Sequence, residues 1–265
     1  MAVDKSQGFI TLVRLGYAAR GLVYILLGYL ALSTTGKAND GASSVFDYLQ
    51  EVPLGSVLLW AAAIGLLAYA VFKLISAIGD IQHRGNEPKG ILKRIGDGAS
   101  GIAHLFLAHA AYQFATGGKR AADGGQSQEM AGSLLSWEIG GLLLGILGVG
   151  FLIGAVMQAK SAVTADFMKH ISGDAPTGVE AVGRAGSAAR AVVFSLIGWS
   201  LVQSAWFTQA GKVKGLGEAI VGMRDSGTLF TLVAIGLMLF GAFSLVMARY
   251  RVLPDFRGHD LKPKL

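Results

Sequence analysis

The stretch RLGYAARGLVY, Arg14 to Tyr24, returns twice along the chain, as RIGDGASGIAH from Arg94 to His104 and as RAGSAARAVVF from Arg184 to Phe194. Three copies of one pattern mean three structural units. Each copy opens a long apolar segment, and a second shared apolar pattern follows about 50 residues later: IGLLAYAVFKLISA from Ile64, VGFLIGAVMQAKSA from Val149 and IGLMLFGAFSLVMA from Ile235. The unit is therefore a pair of hydrophobic helices, and the expected fold is an all-α membrane protein of six transmembrane helices in three tandem two-helix repeats, about 12–80, 91–165 and 181–250, in one membrane domain with a basic tail at 251–265. Two spans per unit insert every unit the same way round, so a pseudo-threefold axis along the membrane normal is the simplest arrangement, with a linear one the alternative.

Composition supports the membrane. Of 265 residues, 52% are hydrophobic and only 15% charged, and the mean hydropathy is +0.52, too apolar for a soluble domain of this size. Glycine is abundant and proline scarce, 38 residues against five, which suggests close helix contacts rather than loops. There is no cysteine, which removes disulfides, thiolate nucleophiles and Cys-ligated metals. The first residues lack an apolar core followed by a cleavage site, so the first span is expected to insert uncleaved.

The expected helices run Leu15–Thr34, Leu54–Ile78, Ile95–Thr116, Trp137–Lys160, Ala185–Phe207 and Thr228–Ala248, each long enough for a hydrocarbon core of about 30 Å. The net charge of +6 is topological in origin. Only Lys37, Lys119, Arg120, Lys212, Lys214 and Arg224 fall on the side opposite the termini, and the other Lys and Arg residues crowd the terminal side. By the positive-inside rule both termini are cytoplasmic, as in a bacterial inner-membrane protein. Trp60, Trp137 and Trp206 sit at the outer ends, where amphipathic rings prefer the interface. The basic side is expected to meet anionic lipids, and the tail to lie in solvent or along their headgroups; no nucleic-acid partner is implied. Outer segments such as SSVFDYLQEV and LGEAIVGM read as interfacial helical turns.

Small residues recur seven apart in the first helices, Gly21 with Gly28, Gly101 with Ala108, and Ala191 with Gly198. Seven residues is nearly two turns, so each pair makes a stripe that another helix can approach. In the second helices Gly65, Gly150 and Gly236 coincide. The fourth long helix is richest in glycine, with Gly141, Gly145 and Gly148 on one face, and is expected to be the most tightly packed.

The RLGYAARGLVY pattern, with PLG at Pro53 and IGLLAYAVFKLISA in the same unit, resembles the bacterial membrane family known as domain of unknown function 1206, whose members look like three tandem two-helix units. The second unit departs from the pattern, with Asp97 for the aromatic and Ser100 for the second arginine, and the third has Ser187 for the aromatic. Only Arg20 and Arg190 match that second arginine. The resemblance implies the fold and brings no activity.

Gly96, Gly98 and Gly101 match G-x-G-x-x-G, but no strand precedes them, so packing outweighs nucleotide binding. Arg14, Arg94 and Arg184 are placed to snorkel to the phosphates. Arg20 and Arg190 lie roughly 9 Å deeper, where snorkelling to lipid is the first reading and a buried partner or an anion the second. Asp97 is expected to pair with Arg94 on one helix face. His104 falls roughly 14 Å into its helix, near the bilayer centre, and is either a proton-relay or ligand group or a ring packed like Tyr24 and Phe194 at the equivalent positions. His109 points elsewhere and joins Tyr112 and Gln113 in a polar patch. His83, His170 and His259 lie in cytoplasmic segments, so neither a metal nor a haem is expected, and no cofactor.

No H-E-x-x-H, nucleophile elbow or intramembrane catalytic set is present, and an enzyme is not expected. Two roles remain: a non-enzymatic scaffold or accessory subunit, whose small-residue faces pack internally, against partner helices or in a homo-oligomer, and a transporter or channel-like protein with a polar path along Arg20, Tyr24, His104, Gln113 and Arg190.

Overall fold

The first helix of each unit starts well before its apolar stretch does. In the structure, a computed structural model that describes residues 5–33, 42–51, 53–82, 84–118 and 126–252, α1 spans Lys5–Leu32, α2 Ala42–Glu51, α3 Gly55–Gly79, α4 Pro88–Ala115, α5 Gln126–Leu135, α6 Gly140–Thr164, α7 Val179–Phe207, α8 Leu216–Val221 and α9 Thr228–Tyr250. The expected starts at Leu15, Ile95 and Ala185 mark only where the apolar part begins. Pro88 at the first position of α4 presets a helical φ, and Gly178 before α7 takes a positive φ of 88°, so the polar turns are recruited as well. Lys37, His83, Lys119, Arg120, His259 and the tail beyond 252 lie outside the described residues.

Among the described residues five helices are long and apolar enough to cross a membrane: α1 over Ile10–Leu32, α3, α6, α7 and α9. The segment α4 is as long as α1, 28 residues each, but Lys89, Lys93, Arg94 and Asp97 charge its first turns and His104, His109 and Gln113 interrupt the rest. The only β pairing among the described residues is an isolated antiparallel bridge between Ile171 and Arg251.

Two sets of glycines decide how the long helices meet. The first set joins different units: α1 packs on α9, α3 on α4 and α6 on α7, the three most extensive interfaces among the described residues. A Cβ on Gly21 would lie 2.8 Å from the Gly241 carbonyl oxygen, on Gly28 2.6 Å from that of Ala234, on Gly101 3.2 Å from that of Ala70, and on Gly148 and Gly198 2.9 Å from each other's carbonyl oxygens. These are the stripes spaced seven apart, with Ala108 buried among them. In lipid the gain from such a contact is van der Waals packing rather than removal from water, so backbone approach is what counts.

The second set joins the two helices of one unit. A Cβ on Gly16 of α1 would meet Tyr69 of α3 at 2.7 Å, and one on Gly186 of α7 would meet Cα of Phe240 of α9 at 2.6 Å. Gly65 and Gly236 receive Ala19 and Ala189 at 2.6 and 2.5 Å in the same way. The second unit lacks this contact among its described residues. Its α4 and α6 form no comparable interface, and Gly96 and Gly150, the aligned positions, have nothing within 4 Å. The aligned positions differ: where Gly16 and Gly186 meet the backbone and Cβ of Tyr69 and Phe240, α6 has Gly154, which presents no Cβ to such a contact.

This opening corrects the expectation that the glycine-rich α6 would be the most tightly packed helix. Only 22% of its span is buried, the lowest of the five. Its Gly148 does meet α7 closely, but Gly141 and Gly145 only graze Ala205, at 3.6 and 3.7 Å, and the face turned toward α4 is bare.

On the side opposite the termini, the interfacial helices close the molecule. The stretch SSVFDYLQE of the first segment falls in α2 and LGEAIVGM begins α8. Phe46 of α2 and Ile220 of α8 are fully buried with Leu27, Leu59 and Leu237 in one apolar cluster. Trp60, Trp137 and Trp206 stand exposed at this level. Beside this cluster, Asp47, Gln50, Glu51, Ser56 and Phe114 line an open cavity of about 600 Å³.

Candidate functional site

The polar residues that the repeat brings together lie on the terminal side, between α1, α3, α4, α7 and α9. Arg20 is 9% exposed, so the snorkelling reading is corrected in favour of buried partners. Its Nε and Nη2 donate to Ser244 Oγ at 3.2 and 3.0 Å, and Nη1 donates to the Tyr69 hydroxyl. The guanidinium also lies 4.8 Å from the Tyr17 and Tyr69 ring centroids and 5.0 Å from that of Phe240. Ser244 is fully engaged, because its hydroxyl donates in turn to the Phe240 carbonyl. A cation–ring contact contributes about 0.5–2 kcal/mol, against about 2.5–3.5 kcal/mol for carrying an arginine to mid-membrane, so three rings and three hydrogen bonds hold Arg20 in place.

Arg190, the equivalent residue of the third unit, is less well served. It lies 4.4 Å from the Phe240 centroid, 4.6 Å from Phe194 and 5.7 Å from Tyr24, yet its buried Nε has no hydrogen-bond partner among the described residues. Tyr24 packs edge-on to Phe240 at 4.9 Å, and Phe194 on Phe151 of α6 at 5.3 Å. In the second unit Ser100 occupies the arginine position, and a cation arrives from outside that unit. Lys73 of α3 reaches Asp97 of α4 at 2.6 Å, and Arg84 approaches the other carboxylate oxygen at 2.9 Å. Asp97 therefore does not pair with Arg94. The neighbouring helix turns Lys73 onto it and the loop after that helix brings Arg84, while Arg94 is drawn to the unpaired carbonyls at the end of α3.

His104 stands against Tyr69, with centroids 4.6 Å apart, and its Nδ1 contacts the Ser100 carbonyl at 2.7 Å. That supports the packed-ring reading. His109 and Gln113 are not part of this cluster. His109 is exposed near Tyr112, which packs on Trp60 at 5.5 Å, and the Gln113 carbonyl accepts from Gly118. Among the described residues no group of three or more His, Cys, Asp or Glu residues is placed to hold a metal.

Sequence reasoning missed the part played by the leading arginines. Arg94 donates to the Ala77 and Ile78 carbonyls at the end of α3, at 2.8 and 3.0 Å, and Arg184 to the Ala162 and Val163 carbonyls at the end of α6. Each satisfies carbonyls that a helix terminus leaves unpaired and places a cation at the negative end of the dipole. The arginine of one unit thus caps the last helix of the unit before it. Lys73 was also missed. The signal was available in the aligned second helices, where Lys73, Gln158 and Ser244 share one position, the polar slot of an otherwise apolar face.

Apolar helices, three repeats and a buried basic cluster define a multi-pass helical membrane protein. Residues 15–80, 95–165 and 185–251 each match the family described as Domain of Unknown Function (DUF1206), and the chain belongs to that family. It is 34% identical over 250 residues to a Bacillus subtilis (strain 168) protein described as "Uncharacterized protein YxxB", with 90% of each chain covered. No solved structure matches.

Proposed function

We propose that the protein is a non-enzymatic scaffold or accessory subunit of the bacterial cytoplasmic membrane, with α4 as its sixth span, both termini cytoplasmic and the three units set around a pseudo-threefold axis. Its second unit is left open to take a helix from a partner or a second copy. One observation carries the reading: Gly96 and Gly150 face open space where Gly16, Gly65, Gly186 and Gly236 each hold a neighbouring helix. A hole shaped for helix contact and left unfilled is a docking place of the small-residue kind.

The conduit reading has less support. Arg20, Tyr24, His104 and Arg190 gather on the basic side, but the way to the other side is taken by Leu27, Leu59, Phe46 and Ile220, all 1% exposed or less. Gln113, proposed to extend the path, lies apart from the cluster.

Because the chain has no cysteine, cross-linking gives a clean test. Gly96→Cys and Gly150→Cys, made singly in the cellular membrane and exposed to a bifunctional thiol–amine reagent, are expected to yield adducts larger than the monomer. The double variant under oxidation is expected to form little internal disulfide. An efficient disulfide between the two introduced thiols, with no larger adduct from either single variant, would show that the opening closes on itself and would sink the scaffold reading.

A further inference from the structure

The basic cluster carries more charge than the described residues neutralise. Arg20, Lys73, Arg190 and Arg251 all lie within electrostatic reach of the Tyr69 hydroxyl, and they share rings. Arg20 and Arg251 lie 4.8 and 5.3 Å from the Tyr17 centroid, and Arg20 and Arg190 lie 5.0 and 4.4 Å from that of Phe240. Among the described residues one carboxylate, Asp97, serves the group, and Lys73 and Arg84 already occupy it. Aromatic faces and hydroxyls stabilise a cation without cancelling its charge, and like charges repel strongly where water is scarce. Two of the four guanidinium and ammonium groups also keep an unmet donor: Arg190 Nε and Arg251 Nε are buried with no hydrogen-bond partner among the described residues.

Arg190 stands at the opening between α4 and α6. Phe194, beneath its guanidinium, packs on Phe151 of α6, and His104 of α4 lies within its electrostatic reach. The side-chain volume that Tyr69 and Phe240 supply in the other units is absent at Gly154, whose open side has only Phe194 near it among the described residues, at 3.2 Å.

We propose that this cluster is a binding site for a phosphate-type oxyanion, received through the α4/α6 opening and held by Arg190, with Arg20, Lys73 and Arg251 supplying the field. A guanidinium fork suits a tetrahedral oxyanion because two parallel donors meet two oxygens. The phosphate of an anionic phospholipid entering sideways from the bilayer and a free phosphate entering from the aqueous side present the same chemistry. The site goes beyond the scaffold role and is read on the protein with no partner helix in that opening.

The test uses purified, delipidated full-length protein in neutral detergent, titrated with phosphatidylglycerol, with phosphatidylcholine as a zwitterionic control, and with inorganic phosphate against chloride at matched ionic strength. The readouts are the thermal midpoint and adducts in native mass spectrometry. Phosphatidylglycerol or inorganic phosphate is expected to raise the midpoint where its control does not. A response to phosphatidylglycerol alone identifies a lipid, and a response to both identifies a free oxyanion. Arg190→Gln, with helicity and dispersity unchanged, is expected to weaken binding about tenfold or more, the loss of one charge-assisted pair. Should that variant fail to fold, Arg251→Gln replaces it, with binding expected to weaken severalfold at low salt and less at high salt. Equal behaviour of phosphatidylglycerol and phosphatidylcholine together with no phosphate response would overturn the proposal, as would unchanged binding in the folded variant.

Discussion

Gly148 and Gly150 are two residues apart on α6, and the same substitution at each should push stability in opposite directions. Alanine is favoured over glycine inside a helix by about 0.8–1.0 kcal/mol, and both variants collect that gain. At Gly150 nothing opposes it, since no described atom lies within 4 Å of the new methyl group. At Gly148 the methyl would stand 2.8 Å from Val202 Cγ2, 2.9 Å from the Gly198 oxygen and 2.9 Å from the Val202 nitrogen. Two of those three atoms are backbone, so relief requires α7 to retreat as a body, and overpacking of this kind costs about 1–3 kcal/mol. The expected result is Gly150→Ala more stable than the parent by up to about 1 kcal/mol and Gly148→Ala less stable by up to about 2 kcal/mol. The variants then differ by about 1–3 kcal/mol, roughly 5- to 150-fold in the unfolding equilibrium. The assay is reversible unfolding by SDS in mixed micelles, followed through the tryptophans, of which Trp199 and Trp206 lie on α7 itself. Equal stability of the two variants, or a more stable Gly148→Ala, would refute the assignment of α6·α7 as the close contact and α4·α6 as the open one.

Two further outcomes follow from the charges. Asp97→Asn leaves Lys73 and Arg84 facing each other at a site where the carboxylate is 5% exposed; removing one partner of a buried pair costs about 3–5 kcal/mol, and the double variant with Lys73→Met is expected to recover part of that loss in the same SDS titration. On the water-facing turn after α6, burial and then the charges of Arg251, Arg84 and Lys93 hold the His170 pKa below 6.5. The unfolded chain therefore takes up a proton more readily than the folded one, so stability is complete above pH 6.5 and falls as the pH drops below it; His170→Asn should flatten the thermal midpoint between about pH 7 and pH 5, and an unchanged slope would contradict this.

The repeat and its small-residue spacing were legible because a helix converts sequence period directly into a face. Gly21 with Gly28 and Gly101 with Ala108 predicted contact stripes, and the structure places helices there. Which helix would arrive was not legible. The stripe of α1 is met by α9 and that of α4 by α3, so each serves the boundary between units, a relation that no spacing within one copy encodes. Asp97 shows the same limit: three residues from Arg94 on one helix, it read as a local pair, but a neighbouring helix and the following loop supply its cations. The opening beside α6 goes with Gly154 standing where the sister units have Tyr69 and Phe240, a departure visible in the aligned repeats whose meaning depends on knowing that the backbone and Cβ of those residues meet Gly16 and Gly186.

The alternation of close and looser interfaces has a consequence for the order of assembly. The helix made first, α1, finds its tightest neighbour in α9, more than 200 positions later in the chain, and contacts so distant in sequence form late. Until α9 is inserted, the groove at Gly21 and Gly28 faces lipid, and the hydrogen bonds of Arg20 to Ser244 do not exist. The nascent chain therefore carries a half-satisfied arginine at membrane depth throughout its synthesis, and the last helix acts as a clasp whose closure at Ser244 relieves it.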